Sequence, residues 1–398
     1  MSTKTAYVFT SESVTAGHPD KLCDQISDAI VGRLLRRDRV AKVIAECATS
    51  AGIVFVSLRF LSEASVDIST VARSVIRQVG YDHELFNPRT CAIMTSVIGY
   101  PHNARAPQDE GSLSDADLDR LPVSDQATVF GFACRHTDEL MPLPVSLANR
   151  LAHELDLARQ SGDLPYLSPD GKVQVAVEFN ERTPVRIHGI SIVAAQLELN
   201  RPTPQQLEEA LRERVIKRVF ENERVKPDGK TRIAINPDGA VLYGGPHAHA
   251  GLTGRKSGAD MYGEFARQSN ASLSGKDPSR IDRVAVYAAR HAAKTVVAAG
   301  LADECEVQLS YSIGMAAPVS VQVQTFGTER IDVSEISARV RRHFDFRLGA
   351  IVRAYALRDL PAKSEDGFFV KLAAYGHLGR PELALPWEST DRASALRE

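Results

Sequence analysis

Two periodicities interleave along this chain and force it to mix helices with sheets. After His18-Pro19-Asp20-Lys21, the residues Leu22, Ile26, Ile30 and Leu34 recur every four positions, which is one face of an α-helix. A proline at the first turn sits where a helix accepts one. A second helix is expected from Thr203-Pro204-Gln205-Gln206, a capping-box pattern, through Leu207, Leu211 and Val215. Strand-like stretches read at Val173–Phe179, Ile190–Leu197, Val307–Ile313 and Val319–Phe326. In the last of these Val319, Val321 and Val323 alternate with Ser320, Gln322 and Gln324, which predicts a sheet with one buried and one more polar face. Such faces pack on a second sheet or on a partner subunit.

The expected fold class is therefore α/β (α+β). At 398 residues the chain is long enough for two or three domains' worth of core. Two polar breaks, Tyr100–Pro122 and Asn222–Lys230, divide it into segments 1–110, 111–235 and 236–398. The first break carries Pro101, Pro107, Gly111 and Pro122 with no sustained apolar period. It reads as a long loop, a plain linker or the lid of an enzyme site.

Bulk charge excludes several partners. The 48 basic and 50 acidic residues leave a formal charge of −2, so no global cationic field gathers nucleic acid or anionic lipid. Anions must be held by local clusters. Cys23, Cys47, Cys91, Cys134 and Cys305 are scattered without a C-x-x-C pair, which fits reduced thiols in a cytosolic protein. The first residues show no basic then apolar leader pattern, and no apolar run approaches the roughly 20 residues of a membrane span. The expectation is a soluble cytoplasmic protein.

Four stretches hold the residue types of anion and metal chemistry. Glu12, His18, Asp20 and Lys21 surround the start of the first helix, whose free N–H groups stabilise phosphate oxygens. Asp20 there suits a divalent ion bridging phosphates, or is simply a first-turn acid. Gly251-Leu252-Thr253-Gly254-Arg255-Lys256 is a glycine-punctuated turn ending in two cations, either an anion cradle or a solvated turn. Ser274-Gly275-Lys276-Asp277-Pro278-Ser279-Arg280-Ile281-Asp282-Arg283 leads into Val286, Ala289, Ala293 and Val297 at helical spacing. It reads as a phosphate-rich helix entrance or a salt-bridged cap. Pro169-Asp170-Gly171-Lys172 is a turn before a strand.

In this order the motifs resemble those of the methionine adenosyltransferases. Glu12-Ser13-Val14, Gly17 to Lys21, Gly251 to Lys256 and Ser274 to Ser279 carry the resemblance. Gly244-Gly245-Pro246, Ala302-Asp303, Ser310-Tyr311, Ala374-Tyr375-Gly376-His377 and Pro386-Trp387-Glu388 extend it from about Phe9 to about Leu396. The resemblance implies three similar α/β domains in a pseudo-threefold arrangement, with sheets packed at a subunit interface. It also implies a homodimer or homotetramer with shared active sites. The implied reaction joins a thioether sulfur to C5′ of ATP and expels triphosphate, which is then cleaved to diphosphate and phosphate. His18 would sit beside the C5′–O5′ bond, Asp170 would contact ATP, and Lys172, Arg255, Lys256 and Lys276 would hold the triphosphate. Asp20 and Asp282 would carry Mg2+ and Glu46 a K+ ion.

The acceptor half departs from the family pattern. Where the resemblance calls for a glutamate facing the methionine ammonium, this chain has Arg59; within Gly-Pro-x-x-Asp-x-Gly it has His249 in place of the aspartate. Arg280 replaces a lysine, Gln108 stands for the loop glutamine, and Ser124-Asp125-Gln126-Ala127 keeps only the aspartate and glutamine of Gly-Asp-Gln-Gly. Ala240 and Val241 replace an arginine and an aromatic residue. The sequence therefore predicts an ATP-dependent adenosyltransferase whose small-molecule acceptor is more anionic than methionine or lacks its ammonium. An ordinary S-adenosylmethionine synthetase, an ATP or triphosphate hydrolase and a non-catalytic regulatory paralogue are the rival readings.

Overall fold

The computed structural model describes residues 6–100, 108–364 and 367–398. In chain order its strands are β1 (Ala6–Val14), β2 (Lys42–Ser50), β3 (Ile53–Leu61), β4 (Ala92–Gly99), β5 (Ala127–Cys134), β6 (Leu167–Asn180), β7 (Thr183–Gln196), β8 (Arg232–Ile235), β9 (Val241–Leu242), β10 (Gly251–Leu252), β11 (Glu304–Tyr311) and β12 (Ser320–Gln324). The five longest helices among the described residues are α1 (Pro19–Arg37), α2 (Ile68–Val79), α3 (Leu143–Gln160), α4 (Ile281–Ala298) and α5 (Val333–His343).

The strands form three sheets, ordered β1-β6-β7-β8 with β9 on β7, β10-β2-β3-β4, and β12-β11-β5. A long helix covers one face of each: α3 lies on β6 and β1, α1 on β2, and α4 on β5 and β11. The mixed α/β class is thus as the periodicities require. Every sheet borrows a strand from a distant part of the chain. β1 joins β6, β10 joins β2, and β5 joins β11.

Helix α1 shows how the sequence fixes its own start. His18 caps it, its Nδ1 accepting the Asp20 N–H at 3.2 Å, and Pro19 occupies the first turn. Leu22, Ile26, Ile30 and Leu34 are all buried. At Thr203 both capping-box hydrogen bonds form. That helix (Pro204–Leu211) continues through a π-turn at Arg212–Ile216, keeping Leu207, Leu211 and Val215 buried.

The expected strands are present with shifted ends. Val321 and Val323 are buried as the alternation requires, but Val319 is 58% exposed; its N–H still donates to the Ser310 carbonyl at 2.8 Å, but it lies at the very end of the ladder, where its side chain meets solvent. Most of the polar stretch after residue 107 is less loop-like than its composition implies. Glu110 is buried against Arg358, whose Nε and Nη2 each donate to it at 2.9 Å, and Leu118 and Leu121 pack inward. The lid expected nearer Tyr100 falls largely on residues 101–107, outside the described residues.

Among the described residues, one sheet face is left uncovered. On β3, Val54, Val56 and Leu58 are buried, while Ile53, Phe55 and Arg59 point outward. Register sets Met94 beside Phe55 and Ile98 beside Arg59, and Leu252 of β10 beside Ala48 of β2.

Candidate active site

Asp20, Asp24 and Asp28 follow one another every four residues on α1 and are all fully buried. Each accepts a backbone N–H from a motif turn: Leu252 to Asp20 at 3.0 Å, Gly254 to Asp24 at 2.8 Å and Gly275 to Asp28 at 2.9 Å. Buried charges persist only when paired and hydrogen-bonded. Lys21 accordingly meets Asp24 at 2.9 Å and also reaches Asp260, while Arg283 meets Asp28 at 2.7 Å. This ladder clamps the turns carrying Arg255, Lys256 and Lys276 onto one helix. The sequence reading overlooked Asp24 and Asp28; their spacing of four from Asp20 was the available signal.

The candidate residues gather in two groups. The first forms where the β1–α1 turn meets the start of β6. Thr15 Oγ1 donates to the Pro169 carbonyl at 2.6 Å, and Gly17 approaches Pro169 so closely that a Cβ there would clash with its backbone. His18 and Asp170 are thereby brought together. The His18 and His249 rings lie 4.8 Å apart. Asp170 Oδ2 accepts from His249 Nε2 at 2.9 Å and from the Gly245 N–H at 2.7 Å, whereas its buried Oδ1 has no hydrogen-bond partner among the described residues. Across the pocket, Asp20 holds Arg255 Nε at 2.8 Å and Lys256 Nζ at 3.0 Å. Lys172 follows Asp170 by two residues, exposed on β6.

Burial drives the His18 imidazole down to about 3, against the pull of Asp170 and Asp20, so it is neutral at ordinary pH. Burial works to raise Asp170, yet its bond from His249 and the backbone bond from Gly245 bring it below the usual carboxylate range.

The second group lies at the other end of β2, where Ile44 bridges to Lys276. Lys276 pairs with Asp282, and Arg280 with Asp125. Asp282 Oδ1 is buried without a hydrogen-bond partner among the described residues. Tyr100 is raised by burial and lies within electrostatic reach of Arg280, Asp125 and Arg59. Gln108 shares a small cleft with Ser124 and Ser279, the neighbours of Asp125 and Arg280. Glu46 stands exposed on β2 opposite Ser57. Since Ala48 and Thr49 pair β10, four to five residues from Ile44, about 13 Å or more of strand separates the two groups.

The site thus sets a buried neutral imidazole beside Arg255 and Lys256, both paired to Asp20. Family models for the S-adenosylmethionine synthetase N-terminal, central and C-terminal domains match residues 6–100, 120–241 and 243–389. The chain is 42% identical over 405 residues to the S-adenosylmethionine synthase of Gloeothece citriformis (strain PCC 7424), covering 98% of this chain and 97% of that one. It is 44% identical over 404 residues to that of Synechococcus sp. (strain JA-2-3B'a(2-13)), with the same coverage. The chain belongs to the S-adenosylmethionine synthetase family and is a transferase of the methionine adenosyltransferase type. No helix among its described residues is long and apolar enough to cross a membrane.

Proposed function

We propose that this chain transfers the adenosyl group of ATP to an acceptor other than free methionine. The acceptor's lone pair attacks C5′, the C5′–O5′ bond breaks, and its electrons leave with triphosphate, which is then cleaved to diphosphate and phosphate. One observation carries the triphosphate half: Arg255 and Lys256 rest on Asp20, and Lys276 rests on Asp282. A triphosphate draws these cations away, and the carboxylates they leave are hard oxygen ligands suited to magnesium. Asp282, with its unpartnered oxygen, fits that role as it stands; Asp20 fits it once Arg255 and Lys256 have moved. Magnesium there neutralises charge on the leaving group. Lys172 adds a further cation, neutral His18 donates a hydrogen bond to the departing O5′, and Asp170 orients the nucleotide. Glu46 offers one carboxylate to potassium.

The acceptor half rests on sign of charge. Arg59 and His249 occupy positions where the resemblance calls for carboxylates, and Arg280 is held by Asp125. An arginine facing an ammonium costs about 1–4 kcal/mol depending on local dielectric, and the same arginine attracts a carboxylate or phosphate. The second reading, an ordinary synthetase using methionine, is favoured by the 42–44% identity to S-adenosylmethionine synthases along nearly the whole chain.

The uncovered sheet supports a shared site. Ile53, Phe55, Met94, Ile98 and Leu252 are exposed apolar groups on it, and contiguous patches of this kind mark association surfaces. A site shared in this way requires a twofold axis that reverses the strands, so that the His18 group of one protomer meets the Lys276 group of the other. The segments 1–110, 111–235 and 236–398 remain our proposed division of the chain.

The deciding experiment incubates protein with ATP, magnesium and potassium, and analyses adenosylated products by mass spectrometry. Methionine is compared with deaminated and anionic analogues. Adenosylation of an analogue in preference to methionine is the expected result. S-adenosylmethionine formed as the preferred product overturns the altered acceptor, and phosphate release without any adenosyl product overturns the transfer itself.

A further inference from the structure

His18, Asp170 and His249 each offer one ligand atom, and these atoms all lie within 4.8 Å of one another. Two of the three residues are buried, and Asp170, only 6% exposed, keeps Oδ1 without a hydrogen-bond partner among the described residues. A buried carboxylate oxygen with nothing to accept from is costly unless a ligand completes it. Two imidazoles and a carboxylate form a donor set for borderline divalent ions such as Zn2+ or Co2+ rather than for magnesium, which prefers oxygen.

We propose that these three side chains form a transition-metal site distinct from the carboxylates assigned to magnesium. It owes its second nitrogen to His249, a residue that departs from the family pattern. His18 keeps Nδ1 toward the Asp20 amide at 3.2 Å, which leaves Nε2 as the nitrogen it offers. On binding, the proton of Nε2 moves to Nδ1, which gives up the capping bond from the Asp20 amide and turns toward Asp20 Oδ2, 3.6 Å away in the unbound protein. Asp170 supplies Oδ1 without giving up the Gly245 N–H on Oδ2. His249 is the adjustable member: its side chain is 31% exposed on the turn between Gly245 and Gly251. Its Nε2, which donates to Asp170 Oδ2 at 2.9 Å, passes that proton to Nδ1 before it ligates, and the donor atoms draw in from at most 4.8 Å toward the roughly 3 Å spacing of a tetrahedral ion. The nearest cations, Lys256 and Arg255, are already neutralised by Asp20 and present a weakened barrier to a divalent ion. Because His18 and Asp170 also serve the proposed nucleotide site, ATP and the metal exclude one another; that clause alone rests on the proposed function.

The test is a Co2+ titration of the full chain without nucleotide, read by visible absorption and by equilibrium dialysis with Zn2+. The expected result is one ion per chain with the intense visible bands of a low-coordinate nitrogen-ligated Co2+. These bands vanish in His249→Asp and Asp170→Asn and persist in Asp282→Asn. Thermal unfolding of each variant separates ligand loss from misfolding. Bands unchanged in a folded His249→Asp chain, or no stoichiometric binding by the unmodified protein, overturn the site. Neither outcome bears on adenosyl transfer, which is measured separately by product formation.

Discussion

Replacing Asp28 with asparagine removes one charge from the interior without changing shape, and the structure sets the size of the effect. Both Asp28 and Arg283 have 0% side-chain exposure. The carboxylate accepts from Arg283 Nη1 at 2.7 Å, from Nη2 at 3.2 Å and from the Gly275 N–H at 2.9 Å. Asparagine keeps one acceptor oxygen but turns an N–H2 toward a guanidinium, which leaves Arg283 charged and dry. Breaking a buried pair in this way costs about 3–5 kcal/mol, a large fraction of a typical total stability. The reporter is built in. Trp387 is the sole tryptophan, fully buried and stacked 3.9 Å from Tyr287, whose hydroxyl accepts from Arg283 Nε at 3.1 Å. Urea unfolding followed by Trp387 fluorescence should therefore show the loss directly. Adding Arg283→Met removes the orphaned charge and should restore part of the stability, since coupled neighbours do not add. A loss under about 1 kcal/mol in the single variant, or a double variant less stable than the single, refutes the reasoning.

Four further outcomes are expected. Arg59→Glu should shift preference toward methionine by about tenfold or more in kcat/KM, matching the electrostatic cost above, measured by competing methionine against the best analogue. Because His18 stays neutral down to about 3 when folded, the unfolded chain binds a proton that the folded chain refuses as pH drops below about 6.5. Wild-type melting temperature should thus fall more steeply than that of His18→Gln between about pH 6.5 and 4, the contribution being intact above that window. A Cβ at Gly131 would fall on the backbone of Ala289 and Arg290 in α4, so Gly131→Ala should cost at least about 1–3 kcal/mol by urea unfolding. Met94→Glu, on the uncovered sheet, should lower the solution mass measured by light scattering to that of one chain.

Local signals in the sequence carried the elements whose neighbours in sequence decide them. The first-turn proline of α1, the capping box at Thr203 and the apolar stripe of α1 needed only residues a few positions apart. Glu110 read as part of a polar loop because its partner, Arg358, lies 248 positions away. The same distance effect hid the division of the site: nothing local reveals that Lys256 and Lys276 face opposite ends of one strand. Val319 failed for a simpler reason, since alternation predicts which face a side chain takes and not how far along the ladder that face stays covered. The acidic ladder of α1 was legible but eclipsed by the apolar stripe beside it.

The partners of Arg290 also impose a sequence of events. This residue is completely enclosed in α4, donating to the carbonyls of Phe132, Glu139 and Leu140, and its counter-charge is Glu388, 98 positions further along. Lys294 leans on the same carboxylate at 2.7 Å. Until Glu388 has emerged from the ribosome and folded back, α4 cannot seat against β5 without enclosing two uncompensated charges. A polypeptide that stops short of this one late-made glutamate would close its core only by enclosing Arg290 without a counter-charge, at a cost of about 3–5 kcal/mol.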